Sequence, residues 1–95
     1  MRVISNRKLR EFAAQYQDAA RPLRTWRKAI ESGLFRNFAD LRRTFGTVDR
    51  VGDLCVFDIG GSKYRLIAYV RFDWNRCYMK QVLAHAAYQR GEWKK

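Results

Sequence analysis

The feature that most limits how this chain can fold is the run Phe57-Asp58-Ile59-Gly60-Gly61-Ser62-Lys63-Tyr64-Arg65-Leu66-Ile67-Ala68-Tyr69-Val70-Arg71. Apolar residues alternate with others on both sides of the Gly60-Gly61 pair, which is the signature of a β-hairpin. Glycine suits the turn because it reaches φ > 0 without a Cβ clash. On the second arm, period two puts Tyr64, Leu66, Ala68 and Val70 on one face. Lys63, Arg65, Ile67, Tyr69 and Arg71 fall on the other. One apolar face and one basic, aromatic face predict a sheet backed by helices and open to an anion in front.

The remaining sequence supplies those helices. A short β-like start at 2–5 is followed by Leu9, Phe12, Ala13 and Tyr16, an i, i+3, i+4, i+7 stripe that predicts an amphipathic helix over 6–17. Ser5 or Asn6 can cap it. Pro22 predicts a second helix starting near its N1 position. Leu23, Trp26, Ile30 and Leu34 form its buried stripe, and Gly33 its C′ stop. The two helices are expected to form an antiparallel hairpin. Asn37-Phe38-Ala39-Asp40 resembles a capping box opening a short helix that buries Phe38, Leu41 and Phe45 and stops at Gly46.

From Thr47 the period changes to two. Strands are predicted over 47–51, 54–59 and 76–83, with turns at Gly52-Asp53 and Asp73-Trp74-Asn75 and a short helical or irregular tail halted by Gly91. The order of elements predicts a single α+β domain over 1–95, with N-terminal helices on one face of a twisted, mainly antiparallel sheet.

A net charge of +11, from 20 basic and 9 acidic residues spread along the chain, predicts a polyanionic partner. Cys55 and Cys77 sit in apolar strand contexts and read as small buried hydrophobes in a reducing cytoplasm. No secretory signal is expected, since charged sequence follows Ile4, and no apolar run approaches the roughly 20 residues that span a bilayer. One histidine is too few for most metal sites, and no cofactor is expected.

Several residues can carry chemistry. Lys63 and Arg65, at i and i+2, are expected to point the same way and hold backbone phosphate. Lys80 shares a strand face with Arg76, Tyr78 and Val82, neither face being wholly apolar; if its face is the open one, its ammonium approaches Arg65 across the sheet. His85 supplies an imidazole, the side-chain type suited to acid–base catalysis near neutral pH. Tyr88, three residues on, shares its helical side and can stack on a base or donate a proton. Asp58 can orient a cation or cap the turn. Cations beside an imidazole and a phenol suit metal-free cleavage of a ribose–phosphate linkage, and equally a solvated basic surface.

The stretch from Val56 to Ala68, followed by Tyr78-Met79-Lys80-Gln81-Val82-Leu83-Ala84-His85-Ala86-Ala87-Tyr88, resembles the HigB family of bacterial toxins, a branch of the RelE/ParE toxin superfamily. The resemblance extends over nearly the whole chain. It implies the toxin of a type II toxin–antitoxin pair, an endoribonuclease acting on mRNA in the ribosomal A site. It implies a HigA-type helix-turn-helix antitoxin as partner, with operator DNA contacted only through the toxin–antitoxin complex, and contacts to mRNA and ribosomal RNA. By position it assigns catalysis to Arg65, His85, Tyr88 and Lys80, and substrate binding to Lys63, Asp58 and Arg71. The chain departs from the family's common pattern, which has Asn at 58 and 62, Thr at 84 and Glu at 87, by carrying Asp58, Ser62, Ala84 and Ala87. A ParE-like gyrase poison on the same fold and a non-enzymatic RNA- or DNA-binding module are the alternatives.

Overall fold

In the computed structural model, which describes residues 1–5, 7–91 and 93, the glycine turn does what its sequence requires. Gly60 and Gly61 have φ of +64° and +63°, and Ser62 follows at +92°. The turn joins β3 (Leu54–Ile59) to β4 (Tyr64–Arg71). Their register sets Phe57 opposite Leu66 and Asp58 opposite Arg65. With β1 (Arg2–Ile4), β2 (Asp49–Val51) and β5 (Arg76–Ala84), they form a five-stranded sheet in the order β1-β5-β4-β3-β2. Every pairing is antiparallel except that of the edge strand β1 with β5.

The helices α1 (Arg7–Gln15), α2 (Gln17–Ser32) and α3 (Phe38–Thr44) supply the opposite side of the core. Ala19, Trp26, Ile30 and Leu41 pack with Cys55, Phe57, Leu66, Ala68, Cys77 and Val82 from the sheet. The α1–α2 hairpin is present. Phe12 and Tyr16, at the end of α1, lie edge-on to Tyr64 beside the glycine turn. The far end of α2 receives the N-terminal ammonium, which donates to the Ile30 carbonyl at 3.2 Å. So α1 runs toward the turn and α2 runs back. Of the two caps expected for α1, Asn6 lies outside the described residues, as does the side chain of Leu9.

Four local expectations are corrected. Pro22 lies inside α2, which begins at Gln17. Asp18 in the first turn complements the helix dipole, and Ala19 and Ala20 are strong helix formers, so the helix nucleates before the proline. Leu34 is 81% exposed and Phe35 is buried in its place. The helix has ended at Ser32, so a 3.6-residue period no longer applies beyond it. Gly33 stops the helix in extended, not left-handed, backbone, φ −86° and ψ 153°. Its glycine is demanded by space: a Cβ there would stand 2.3 Å from the Phe35 ring. The α3 cap is half of a capping box. Asn37 accepts from the Asp40 N–H at 2.9 Å, but Asp40 returns its bond to the Arg36 N–H, one residue further back.

The fifth correction concerns β5. Ile67 pairs with Gln81 and Ala68 with Met79, so Lys80 is the extra residue of a β-bulge. Cys77 and Met79 face the helices before the bulge, and Val82 does so after it. This phase change is why neither alternating set over 76–83 reads as wholly apolar. The helix α4 (His85–Gln89) sits on the opposite side of the sheet from α1–α3. There Val56, Ile67 and Trp93 form a second small core, with Val51, Leu54, Leu83 and Tyr88 packed against it. The face expected to be open is therefore covered at one end.

Because the bulge holds one residue to spare, deleting Lys80 should restore a regular ladder with every core residue still facing inward. Circular dichroism and urea unfolding should show a folded protein. Deleting Tyr69 from β4, which has no spare residue, should abolish folding, since a one-residue slip turns each later side chain over.

A second expectation comes from the tie between α2 and the sheet. The Tyr64 hydroxyl donates to Asp18 Oδ1 at 2.6 Å. This bond, aided by burial, pushes the phenol up to about 12. An unfolded tyrosine ionises near 10. The unfolded chain thus loses this proton first. The contribution is complete below pH ~10 and is lost as pH rises toward the folded value. Urea midpoints should fall between pH 10 and 12, and fall less in Tyr64→Phe. A residual alkaline loss from Cys77, whose burial raises its thiol to about 12, should remain in that variant.

Candidate active site

Arg65 occupies the outer face of β4, one residue after Tyr64 turns its ring into the core. Its cross-strand neighbour on β3 is Asp58, and Arg65 Nε stands 3.0 Å from Asp58 Oδ1. Nη1 donates to the carbonyls of Ser62 at 3.0 Å and Tyr64 at 3.3 Å. The positive φ of Ser62 belongs to the turn whose Ser62 carbonyl reaches this guanidinium. The Arg65 side chain is only 13% exposed and that of Asp58 27%. This is a guanidinium fixed on three sides, with Asp58 as its orienting carboxylate, one of the two roles expected for that residue.

The fourth side is aromatic. The Arg65 guanidinium carbon lies 5.5 Å from the centroid of the Tyr88 ring, within range of a cation–π contact. Tyr88 is held in turn by Trp93: the rings stack at 5.2 Å and 9°, and Trp93 Nε1 donates to the Tyr88 carbonyl at 3.1 Å. Gly91, at φ +72°, donates its N–H to the same carbonyl at 3.0 Å and turns the chain back so that Trp93 can reach the sheet. His85 opens α4 and is exposed. Its N–H donates to the Lys63 carbonyl at 3.0 Å, which pins the start of α4 to the glycine turn.

The structure thus gathers Arg65, Asp58 and Tyr88 in contact, with His85 anchored beside them. It separates the other three residues expected at the site. Lys63 lies in the turn and not on the strand, and the left-handed residues before it aim its ammonium toward α2, 3.7 Å from Asp18. Lys63 and Arg65 therefore do not point the same way. Lys80 sits at the bulge with its ammonium 6.0 Å from the Tyr78 ring. The residue opposite Arg65 on β5 is Leu83, not Lys80. Arg71 is six residues along β4 from Arg65, about 20 Å at strand spacing. It pairs with Asp73 through two contacts of 2.9 and 2.7 Å and lies over Trp74 at 3.9 Å.

An open trough of about 850 Å³ lies at that far end of the sheet, between Arg71, Tyr69, Arg50, Arg36 and Asn75. Two of its cations are already committed, Arg71 to Asp73 and Arg36 to Asp40. The trough lacks the imidazole and the oriented guanidinium–phenol contact, so size does not locate the chemistry. Sequence reasoning missed Trp93. The one signal available was an isolated tryptophan after Gly91 in an otherwise charged tail.

Helices followed by an open five-stranded mixed sheet make a RelE-like architecture. Residues 19–91 match the family model of HigB toxin, the RelE-like toxic component of a toxin-antitoxin system. The chain is similar to the mRNA interferase toxin HigB of Escherichia coli (strain K12), 29% identical over 91 residues, covering 93% of this chain and 88% of that protein. It is equally similar to the mRNA interferase HigB of Shigella flexneri. To that of Escherichia coli O6:H1 it is 29% identical over 93 residues, covering 95% and 90%. The chain belongs to the HigB toxin family. Its partner is accordingly an antitoxin.

A double-mutant cycle tests the central pair. Asp58→Asn and Arg65→Gln should show a coupling of about 1 kcal/mol in urea unfolding, above the usual value for exposed pairs and below that for fully buried ones. A coupling of zero would mean that the two side chains do not meet in solution.

Proposed function

We propose that the chain is an mRNA interferase, an endoribonuclease that cleaves mRNA by attack of the ribose 2′-oxygen on the adjacent phosphorus. The 2′-O–P bond forms and the P–O5′ bond breaks. A base removes the 2′ proton and an acid protonates the departing 5′-oxygen, leaving a 2′,3′-cyclic phosphate and a 5′-hydroxyl. The reading is carried by one observation: Arg65 is oriented by Asp58 within 5.5 Å of the Tyr88 ring, on the face where α4 begins with His85. The names of the related proteins agree with it.

In this reading Arg65 neutralises the charge that grows on the phosphorane. Nη1 and Nε are spent on carbonyls and carboxylate, so Nη2 is the edge offered to the phosphate. His85 and Tyr88 share proton transfer, and Tyr88 also stacks on a base. Lys63, Lys80 and Arg71 take no part at the reacting phosphate. The substrate is mRNA in the ribosomal A site, where the arginines of α1 and α2 meet ribosomal RNA with steep salt dependence. The antitoxin is of the HigA helix-turn-helix type, operator DNA is bound only through its complex with the toxin, and the chain works in the cytoplasm without a metal ion. Among the described residues no helix is long and apolar enough to cross a membrane.

Cleavage of mRNA on programmed ribosomes tests the assignment. Arg65→Ala should lower the rate about 10²–10³-fold, the usual loss for a group that stabilises developing charge. Tyr88→Leu should lose both the stack and the phenol and fall further than Tyr88→Phe. Mapped ends should carry the cyclic phosphate. Undiminished cutting by Arg65→Ala would remove the site.

A further inference from the structure

Among the described residues, the outer face of the sheet is covered only where α4 and Trp93 lie over Val56, Ile67 and Leu83. Beyond Ile67 no described helix lies over it, and its side chains change character. Tyr69 and Tyr78 are register partners on β4 and β5, and their rings stack at 6.2 Å and 28°. Both are half-buried, so each keeps accessible ring surface. Lys80 lies 6.0 Å from the Tyr78 ring on one side. On the other, Arg71 and Arg76 flank Trp74 at 3.9 and 5.9 Å, and Trp74 is 56% exposed. The strand β5 carries no acid. Asp73, which follows β4, is consumed by Arg71.

A cross-strand tyrosine pair alone is ordinary sheet stabilisation. Here it forms a row with an exposed tryptophan and three cations, on the uncovered half of the same face that holds Arg65. Tyr69 lies four residues from Arg65 along β4, about 13 Å at strand spacing. That distance places the row beside the cleaved linkage, under neighbouring nucleotides. Duplex RNA hides its base faces, whereas single strands offer them to flat aromatic rings.

We propose that Tyr69, Tyr78 and Trp74, with Lys80 and Arg76 at their edges, form a stacking platform for unpaired bases of the RNA flanking the cleavage point. The inference rests on the mRNA-cleaving reading for the identity of its ligand. The platform supplies affinity by stacking, and the two cations hold the backbone. It contributes to binding the strand and not to the bond-making step.

Fluorescence anisotropy of the full chain with a short single-stranded 2′-O-methyl RNA, which lacks the attacking hydroxyl, isolates this binding. The Tyr69→Leu/Tyr78→Leu variant should bind about ten-fold or more weakly at fixed salt, in keeping with the usual worth of base–aromatic stacking. Its salt dependence should be unchanged, because no phosphate contact is removed. Tyr69→Phe/Tyr78→Phe should bind as the native protein does, which also guards against misfolding of the leucine variant. Lys80→Gln should reduce the salt slope by about one. Native-like binding by the leucine variant, or an equal loss toward duplex DNA, would overturn the platform. The interferase reading fails separately: native protein that binds the probe but never cuts ribosome-bound mRNA sinks that reading and leaves the platform standing.

Discussion

The register of β3 against β4 is the constraint on which the remaining structure depends. Gly60 and Gly61, both at positive φ, set where the hairpin turns. That choice puts Phe57 and Leu66 together in the core and Asp58 and Arg65 together outside it. Side chains alternate strictly, so the two outcomes are one fact. A slip of a single residue would carry a guanidinium into the apolar layer beneath α2 and bring a leucine out to the surface. Leu66 is fully buried, so the hydrophobic cost of losing it holds the arginine in place. The candidate site thereby borrows its rigidity from the core.

The outer face is divided by the C-terminal segment. Gly91 reverses the chain, Trp93 comes down on Val56 and Ile67, and Tyr88 lies against both Trp93 and Arg65. A phenol on a five-residue helix would otherwise be poorly fixed, since so short a helix has little stability of its own. The second small core solves this, and it does so with residues on the face that composition marks as polar. It also leaves the far half of the face bare, with a different mixture of rings and cations. The sheet is one surface with two chemical regions.

Much of this was legible in the sequence because it follows from periodicity and turn chemistry. The five strands, the α1–α2 hairpin, the Asn37 cap and the placement of Arg65 outside and Leu66 inside all do. What was not legible depends on contacts between distant segments. Lys63 and Arg65 share parity in the sequence, but the left-handed run at 60–62 breaks the strand before Lys63, and Asp18 of α2 takes its ammonium. Lys80 was ambiguous because a bulge changes phase at that residue, and a bulge leaves no mark in a window of alternating residues. Pro22 carried a true local preference that the stronger helix start at Gln17 overrode. Trp93 shows its partners only when the chain has folded.

The pairing of Asp58 with Arg65 bears on how a strongly basic chain can hold a selective site. Other acids in the described residues are likewise spent on cations: Glu11 on Arg7, Glu31 on Arg27, Asp40 on Arg36 and Arg43, Asp73 on Arg71. The large positive excess is thus diffuse, suited to drawing any polyanion to the surface. At Arg65 the local charge is neutralised instead, so ground-state phosphate gains less there than a bare arginine would give. What the carboxylate supplies is orientation. A guanidinium already fixed on Asp58 and two carbonyls needs no reorganisation when charge develops on a phosphorane, and attraction that appears only then favours the transition state over the bound substrate. In the proposed reading, diffuse charge brings RNA to the protein and the oriented, half-neutralised arginine acts at one bond.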